Sequence, residues 1–467
     1  MSADMRLTEN AYGISTLQNF DAFFEAFNPI SSQILQNTPT IYQVRQVDAN
    51  GAFVIVTIQG DFAFNTASAF TVETTEVRET MLGAFNFIPS TGLVFGTANE
   101  LLVTNAQNSA LITRFADFNL SVDSSVLEFP TDDVFLSGQD MVTAGSGNDY
   151  LLGYAANDSM DGGAGADTIE GGFGADTAIF HGAFRQYVLT GSPLATAAIA
   201  GPDGSDSLIS IENLKFLDGT RSYDAGSHIW QVQRLYGAAF DRAADPLGLN
   251  FHSARLDAGT SLTTAAQDFV NSPEFQATYG NLNNNQFVNQ LYLNALNRPA
   301  DSGGLANWVN FLNSGGTRGQ VVVAFSESQE NINNNAAQTA AGLWDINETA
   351  GTVARLYRGA LERAPDIGGL TNWVNAINGG TTFSAVANGI TGSLEFQNAY
   401  GSLNNTQFVN QLYLNVLERP ADPGGLANWV NALNAGTSRG DVTLGFTEST
   451  EYQVTTIGVI DQGIVLL

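Results

Sequence analysis

Three different spacings of apolar residues divide this chain. In the last third, apolar residues recur at helical intervals: Phe408, Val409, Leu412, Tyr413, Val416 and Leu417 fall on one face of a helix. Pro420 stops that helix. Asp422 followed by Pro423 supplies an N-cap with proline at the first helical position. Leu426, Trp429, Val430 and Leu433 form a second apolar face, which Gly436 ends as the C′ residue. Residues 38 to about 130 instead alternate apolar and polar, as in IYQVRQV, GAFVIVTIQG and FTVETTEVRE. With turn signals at Asn50-Gly51 and Thr91-Gly92, that region predicts a β domain. Ahead of it, Phe20, Phe23, Phe24 and Phe27 predict an amphipathic packing helix.

Between these regions one apolar residue arrives every nine. Stepping from Phe135 gives FLSGQDMVT, AGSGNDYLL, GYAANDSMD, GGAGADTIE and GGFGADTAI. Asp140, Asp149, Asp158, Asp167 and Asp176 hold the sixth place. Glycines recur ahead of them, among them Gly145, Gly147, Gly163, Gly165, Gly172 and Gly174. Val142, Leu151, Met160, Ile169 and Ala178 hold the eighth place. The pattern resembles G-G-x-G-x-D-x-U-x, the calcium-binding nonapeptide of RTX proteins.

Physical chemistry accounts for each position. Glycine permits φ > 0 and close backbone approach, so six residues can make a tight turn with carbonyls pointing inward. The remaining triplet is a short strand with one side chain in the core. Two nonapeptides make one coil, which stacks Asp140, Asp158 and Asp176 on one edge and Asp149 with Asp167 on the other. Stacked carboxylates repel unless a cation lies between them. Turn carbonyls plus two carboxylates suit calcium, predicting shared sites at 140/158, 149/167 and 158/176. In the GYAAND repeat Tyr154 and Ala156 replace glycines, which weakens the sites that use Asp158. With Kd near 10⁻⁴ M and millimolar calcium, each site adds roughly 1.4 kcal/mol, about 4 for three. The segment after the repeats, with its IENLKFLDGT motif, resembles the strand-rich cap of RTX proteins.

The helical part is itself repetitive. FVNQLYLNALNRPADSGGLANWVNFLNSG returns as FVNQLYLNVLERPADPGGLANWVNALNAG, with RLYRGALERAPDIGGLTNWVNAINGG and RLYGAAFDRAADPLGLNFHSARLDAG as further copies. Leu235, Leu291, Leu356 and Leu412 are equivalent, so a pair of repeats is duplicated at a spacing of 121. Each copy carries R-x-x-D-x-x-G: Arg242 with Asp245, Arg298 with Asp301, Arg363 with Asp366, Arg419 with Asp422. We read these as helix-connecting turns rather than ligand loops. Trp308, Trp373 and Trp429 we read as core rather than sugar platforms. The copies resemble a helical repeat of uncharacterised function common in bacterial RTX proteins, and more loosely the phycobilisome linker repeats.

Charge narrows the partners. With 46 acidic residues against 17 basic ones, a net charge of −29 and a single lysine, Lys215, the chain lacks the basic footprint for nucleic acid or anionic membranes. It has no cysteine, hence neither disulfides nor a thiolate zinc site. No segment approaches a membrane span, and the N-terminus lacks the pattern of a classical signal peptide. The RTX resemblance implies type I secretion by a C-terminal signal, with which TTIGVIDQGIVLL is compatible.

No catalytic constellation emerges. His181, His228 and His252 form no H-E-x-x-H, and there is no G-x-S-x-G. The fold expected is α+β and multidomain: an N-terminal β domain (1–130), a short parallel β-roll with a strand-rich cap (131–225), and two all-α repeat modules (226–349 and 350–467). The function expected is a secreted calcium-binding structural protein of the bacterial surface that self-assembles as a layer, filament or matrix. A calcium-dependent adhesin that binds cell-surface polysaccharide is the alternative, and a secreted hydrolase the third reading.

Overall fold

The computed structural model describes residues 139–144 and 147–467, with the backbone alone at Asp140, together with the backbone of eight strands between Ser2 and Asp123. The architecture is α+β. Two compact units divide it: residues 1–181 with 187–215, and residues 182–186 with 216–467.

In the first unit, seven strands from Pro29–Asn37 to Leu111–Asp123 pair antiparallel in chain order. The two turn signals lie outside the described residues. Each nevertheless joins strands that pair antiparallel: Ile41–Asp48 with Phe53–Asp61, and Val77–Ile88 with Leu93–Asn105. The expected phenylalanine-rich helix also lies outside the described residues.

The nonapeptides coil as their period requires. Tyr150–Leu152 pairs in parallel with Thr168–Glu170, while Gln139–Thr143, Ser159–Asp161 and Thr177–Ile179 pair in a second sheet. Partners such as Tyr150 and Thr168, or Ser159 and Thr177, are 18 residues apart, so two nonapeptides make one turn of the roll. A three-residue strand turns only its middle side chain inward. Val142, Leu151, Met160, Ile169 and Ala178 are accordingly buried.

The roll does not stop at Ile179. Gly204–Ile209 stacks in parallel on Thr168–Glu170, and Asn213–Phe216 stacks on Thr177–Ile179. Leu208 and Leu214 continue the two columns of buried side chains. What resembled a separate cap is therefore partly a further coil. Val188–Ser192 and Thr196–Gly201 form a hairpin on its side.

The second unit holds two helical cores. Trp230, Leu235, Phe275, Phe287 and Leu291 centre the first; Leu356, Phe396, Phe408 and Leu412 centre the second. The expected apolar face of Asn405–Leu417 is buried at Phe408, Val409, Leu412, Tyr413 and Val416. Trp308, Trp373 and Trp429 are half-buried and pack against these cores.

The R-x-x-D-x-x-G motif is a connecting turn in all four copies. Asp245, Asp301, Asp366 and Asp422 cap a helix by accepting from Gly248, Gly304, Gly369 and Gly425 N–H at 2.7–2.8 Å. The arginines lie 3.6–3.7 Å from those aspartates. Their close partners are glutamates 32 residues on: Glu274, Glu330, Glu395 and Glu451, each gripped through two nitrogens at 2.6–3.0 Å.

One half-buried carboxyl in this unit, Asp345, gives its stability a pH dependence. Burial pushes Asp345 up to about 7; the hydrogen bond from Ser253 Oγ (3.0 Å) opposes that, and the charges of Asp257 and Glu348 reinforce it. The unfolded chain loses this proton near pH 4, so between about pH 4 and 7 the folded state binds more protons. Stability contributed by the proton is therefore lost as pH rises through that window. Asp345→Asn is expected to flatten the decline and to raise stability at pH 8 by about 2 kcal/mol. Denaturant melts at pH 4.5 and pH 8, in excess calcium, measure both effects.

Candidate calcium site

The sixth-place carboxylates form two ladders. On one edge, Asp149 N–H donates to Asp167 Oδ1 at 2.8 Å, and Asp167 N–H donates to Asp206 Oδ1 at 3.0 Å. On the other, Asp158 N–H donates to Asp176 Oδ1 at 2.9 Å, and Asp176 N–H donates to Glu212 Oε2 at 2.9 Å. The pairs 149/167 and 158/176 are thus brought together as their spacing predicts. The side chain of Asp140, and Gly145 altogether, lie outside the described residues.

The turns between strands need glycine for a steric reason. Gly163, Gly165, Gly172 and Gly174 have φ of 75°, 146°, 99° and 152°, values unfavourable to other residues. A Cβ on Gly165 would sit 2.0 Å from Gly147 O, and one on Gly174 would sit 1.8 Å from Ala156 O. The backbone of one coil therefore lies directly on the carbonyls of the next. The degenerate repeat keeps this shape, with Tyr154 at φ 61° and Ala156 at φ 81°. The strain falls on those two residues instead of opening the turn. Ala156→Gly is expected to stabilise the roll by about 1 kcal/mol, read as a higher denaturation midpoint at fixed calcium.

Burial leaves Asp167 and Asp176 each with one oxygen short of a donor. Asp158, Asp167 and Asp176 are at most 2% exposed. Burial pushes the Asp167 carboxyl up to about 6; the N–H of Asp149 opposes this, and the charges of Asp206, Asp149 and Asp161 add to it. Burial likewise raises Asp176 and Asp206. The second oxygens, Asp167 Oδ2 and Asp176 Oδ2, are buried without a hydrogen-bond partner. They face Gly162 and Gly171, where a Cβ would come within 2.5 and 2.4 Å of them. A buried carboxylate oxygen lacking a donor is costly unless a cation completes it.

Among the described residues, no three His, Cys, Asp or Glu side chains gather around one point. A cation here must therefore take most of its ligands from turn carbonyls, with one or two carboxylates. That donor set is all oxygen and suits calcium rather than a transition metal. The residues present fit the ion. Asp149, Asp158, Asp167 and Asp176 would supply its carboxylates, and the turns holding Gly147, Gly163, Gly165, Gly172 and Gly174 its carbonyls.

Two carboxylates of the ladders lie beyond the five nonapeptides read from the sequence. GPDGSDSLI, residues 201–209, is a nonapeptide in its own right, with Gly201, Gly204, Asp206 and Leu208 in the first, fourth, sixth and eighth places. It stands 30 residues after Gly171, out of phase by three, because the hairpin intervenes. Its signal was legible once the phase was allowed to shift. Glu212 closes the other ladder from a shortened turn that restores the phase, 36 residues after Asp176, but its repeat carries no glycine.

A coiled stack of glycine turns, short parallel strands and buried acidic ladders defines a calcium-binding β-roll. The family described as "RTX calcium-binding nonapeptide repeat (4 copies)" matches residues 137–178, and "Domain of unknown function (DUF4214)" matches residues 266–335, 348–397 and 387–456. The chain carries an RTX calcium-binding repeat followed by repeated DUF4214 domains, and calcium is its cofactor. No curated protein matches it. Proteins with RTX repeats are typically secreted by type I systems. Among the described residues, no helix is long and apolar enough to cross a membrane.

Proposed function

We propose that this is a non-catalytic structural protein of the bacterial surface, which folds its roll on calcium after export and then associates with further copies. The observation that carries the reading is the pair of acidic ladders, in which buried oxygens of Asp167 and Asp176 have no hydrogen-bond donor. Calcium is scarce inside cells and millimolar outside, so the ladders would repel during export and lock afterwards. Asp206 and Glu212 extend the proposed ligand set by one step on each edge.

Self-association draws support from the side of the roll. Among the described residues, Val188–Ser192 is the last strand of its sheet, with only Leu189 half-covered. Its outer backbone groups are open to pairing with another strand. Phe173 (83% exposed) and Val188 (69%) add apolar surface on the same unit. Calcium also offsets the repulsion that a charge of −29 imposes between copies. Purified protein is expected to form sheets or filaments in millimolar calcium and to disperse with chelator, seen by electron microscopy and light scattering. A monodisperse monomer under both conditions contradicts the assembly reading.

A further inference from the structure

We infer that the first helical module holds a binding pocket for a neutral sugar residue, at a place where the second module has filled the same position with its own side chains. The cavity has a volume of about 250 Å³. Its walls include Gln233, Arg234, Asn294, Asn331, Asn335 and Gln338, and no aromatic residue. Amide side chains carry donors and acceptors together, which matches hydroxyl groups that are also both.

Charge argues for a neutral ligand: of the charged groups on the wall, Asp241 is exposed to solvent and Arg242 is gripped by Glu274. The guanidinium of Arg234 is 2% exposed and already neutralised, with Nε donating to Glu327 Oε1 at 3.1 Å and Nη2 to Oε2 of the same carboxylate. Its Nη1 is buried without a hydrogen-bond partner. A ligand oxygen would satisfy that N–H without bringing a charge. The amides are held in place. Asn294 Nδ2 donates to Ala238 O (3.2 Å), Asn331 Nδ2 to Ser326 O (2.8 Å), and Gln233 Oε1 accepts from Ala244 N–H (3.2 Å).

The internal duplication supplies the contrast. At a spacing of 121, Gln233, Gly237, Asn331 and Gln338 correspond to Ala354, Arg358, Tyr452 and Val459. The second module keeps the ion pair, Arg355 with Glu448, but there Arg355 Nη2 also donates to Thr352 Oγ1 at 3.2 Å. Tyr452 is buried where the first module has an asparagine. At Gly237 and Asn331 the second module carries the bulkier Arg358 and Tyr452, and at Gln233 and Gln338 the smaller, apolar Ala354 and Val459, so the amides of the first module are not what packing in this fold requires.

Saturation-transfer NMR on the full chain in millimolar calcium, with glucose, galactose, mannose and N-acetylglucosamine as probes, tests the pocket. At least one sugar is expected to bind. The double variant Gly237→Arg, Asn331→Tyr, which copies the second module, should lose about tenfold or more in affinity. Gln338→Val, at an exposed position, serves if the double variant does not fold; circular dichroism checks both. No binding by any of the four sugars overturns the inference, as does binding unchanged in the folded variants. Preference for N-acetyl-triglycine amide or for acetate over every sugar would also overturn it, by assigning the pocket to a peptide or an anion.

Discussion

Heating the protein in chelator and then in millimolar calcium is expected to give two unfolding transitions, only one of which moves. All the proposed calcium ligands belong to the first unit, whereas the helical unit has two apolar cores of its own. Three sites of Kd near 10⁻⁴ M contribute about 4 kcal/mol at millimolar calcium. For a unit of this size that corresponds to a rise of about 12 °C in the transition that contains the roll. Calorimetry should show this shift while the helical transition stays within a few degrees. Equal movement of both transitions would place calcium outside the roll.

The second large effect is a change of sign at Asp167. In calcium, Asp167→Asn removes a charged ligand shared by the 149/167 and 167/206 steps, costing about 3 kcal/mol if both sites are lost. Without calcium the same variant is expected to be more stable than the parent, by about 1 to 2 kcal/mol. Its buried Oδ2 has no partner, so replacing a carboxylate by an amide relieves an uncompensated charge. Oδ1 can still accept from Asp149 N–H. Denaturant titrations of parent and variant, with and without calcium, give the four values needed. Destabilisation of equal size in both conditions would mean that Asp167 is structural and unrelated to calcium.

How much was legible in the sequence depended on whether the signal was periodic. The nine-residue phase fixed the stacking of Asp149 on Asp167 and of Asp158 on Asp176, because a regular coil converts sequence spacing directly into neighbours. Asp206 was missed because an inserted hairpin breaks the phase by three residues, although its own nonapeptide is intact. Glu212 is back in phase, 36 residues after Asp176, but its truncated turn has no glycines to mark it as a repeat. In the helices, apolar spacing marked the buried face of Asn405–Leu417, and the aspartate caps were readable from their turns. The glutamate partners of the four arginines lie 32 residues away on another helix, a distance at which local pattern carries no information. The amide-lined pocket is further still from view. Its asparagines and glutamines come from separate helices, and each reads alone as an ordinary solvated residue. Only the comparison of Gly237 with Arg358, and of Asn331 with Tyr452, sets these positions apart from their counterparts in the second module.

The central claim is that this chain binds calcium through the acidic ladders of its roll. Isothermal titration of calcium into chelator-stripped protein, run in parallel on the double variant Asp167→Asn, Asp176→Asn, tests it most directly. Uptake of several ions per chain by the parent, and loss of most of that uptake in a variant whose helical unit remains folded, is the predicted result. An absence of calcium uptake by the parent, or uptake undiminished in the variant, would contradict it.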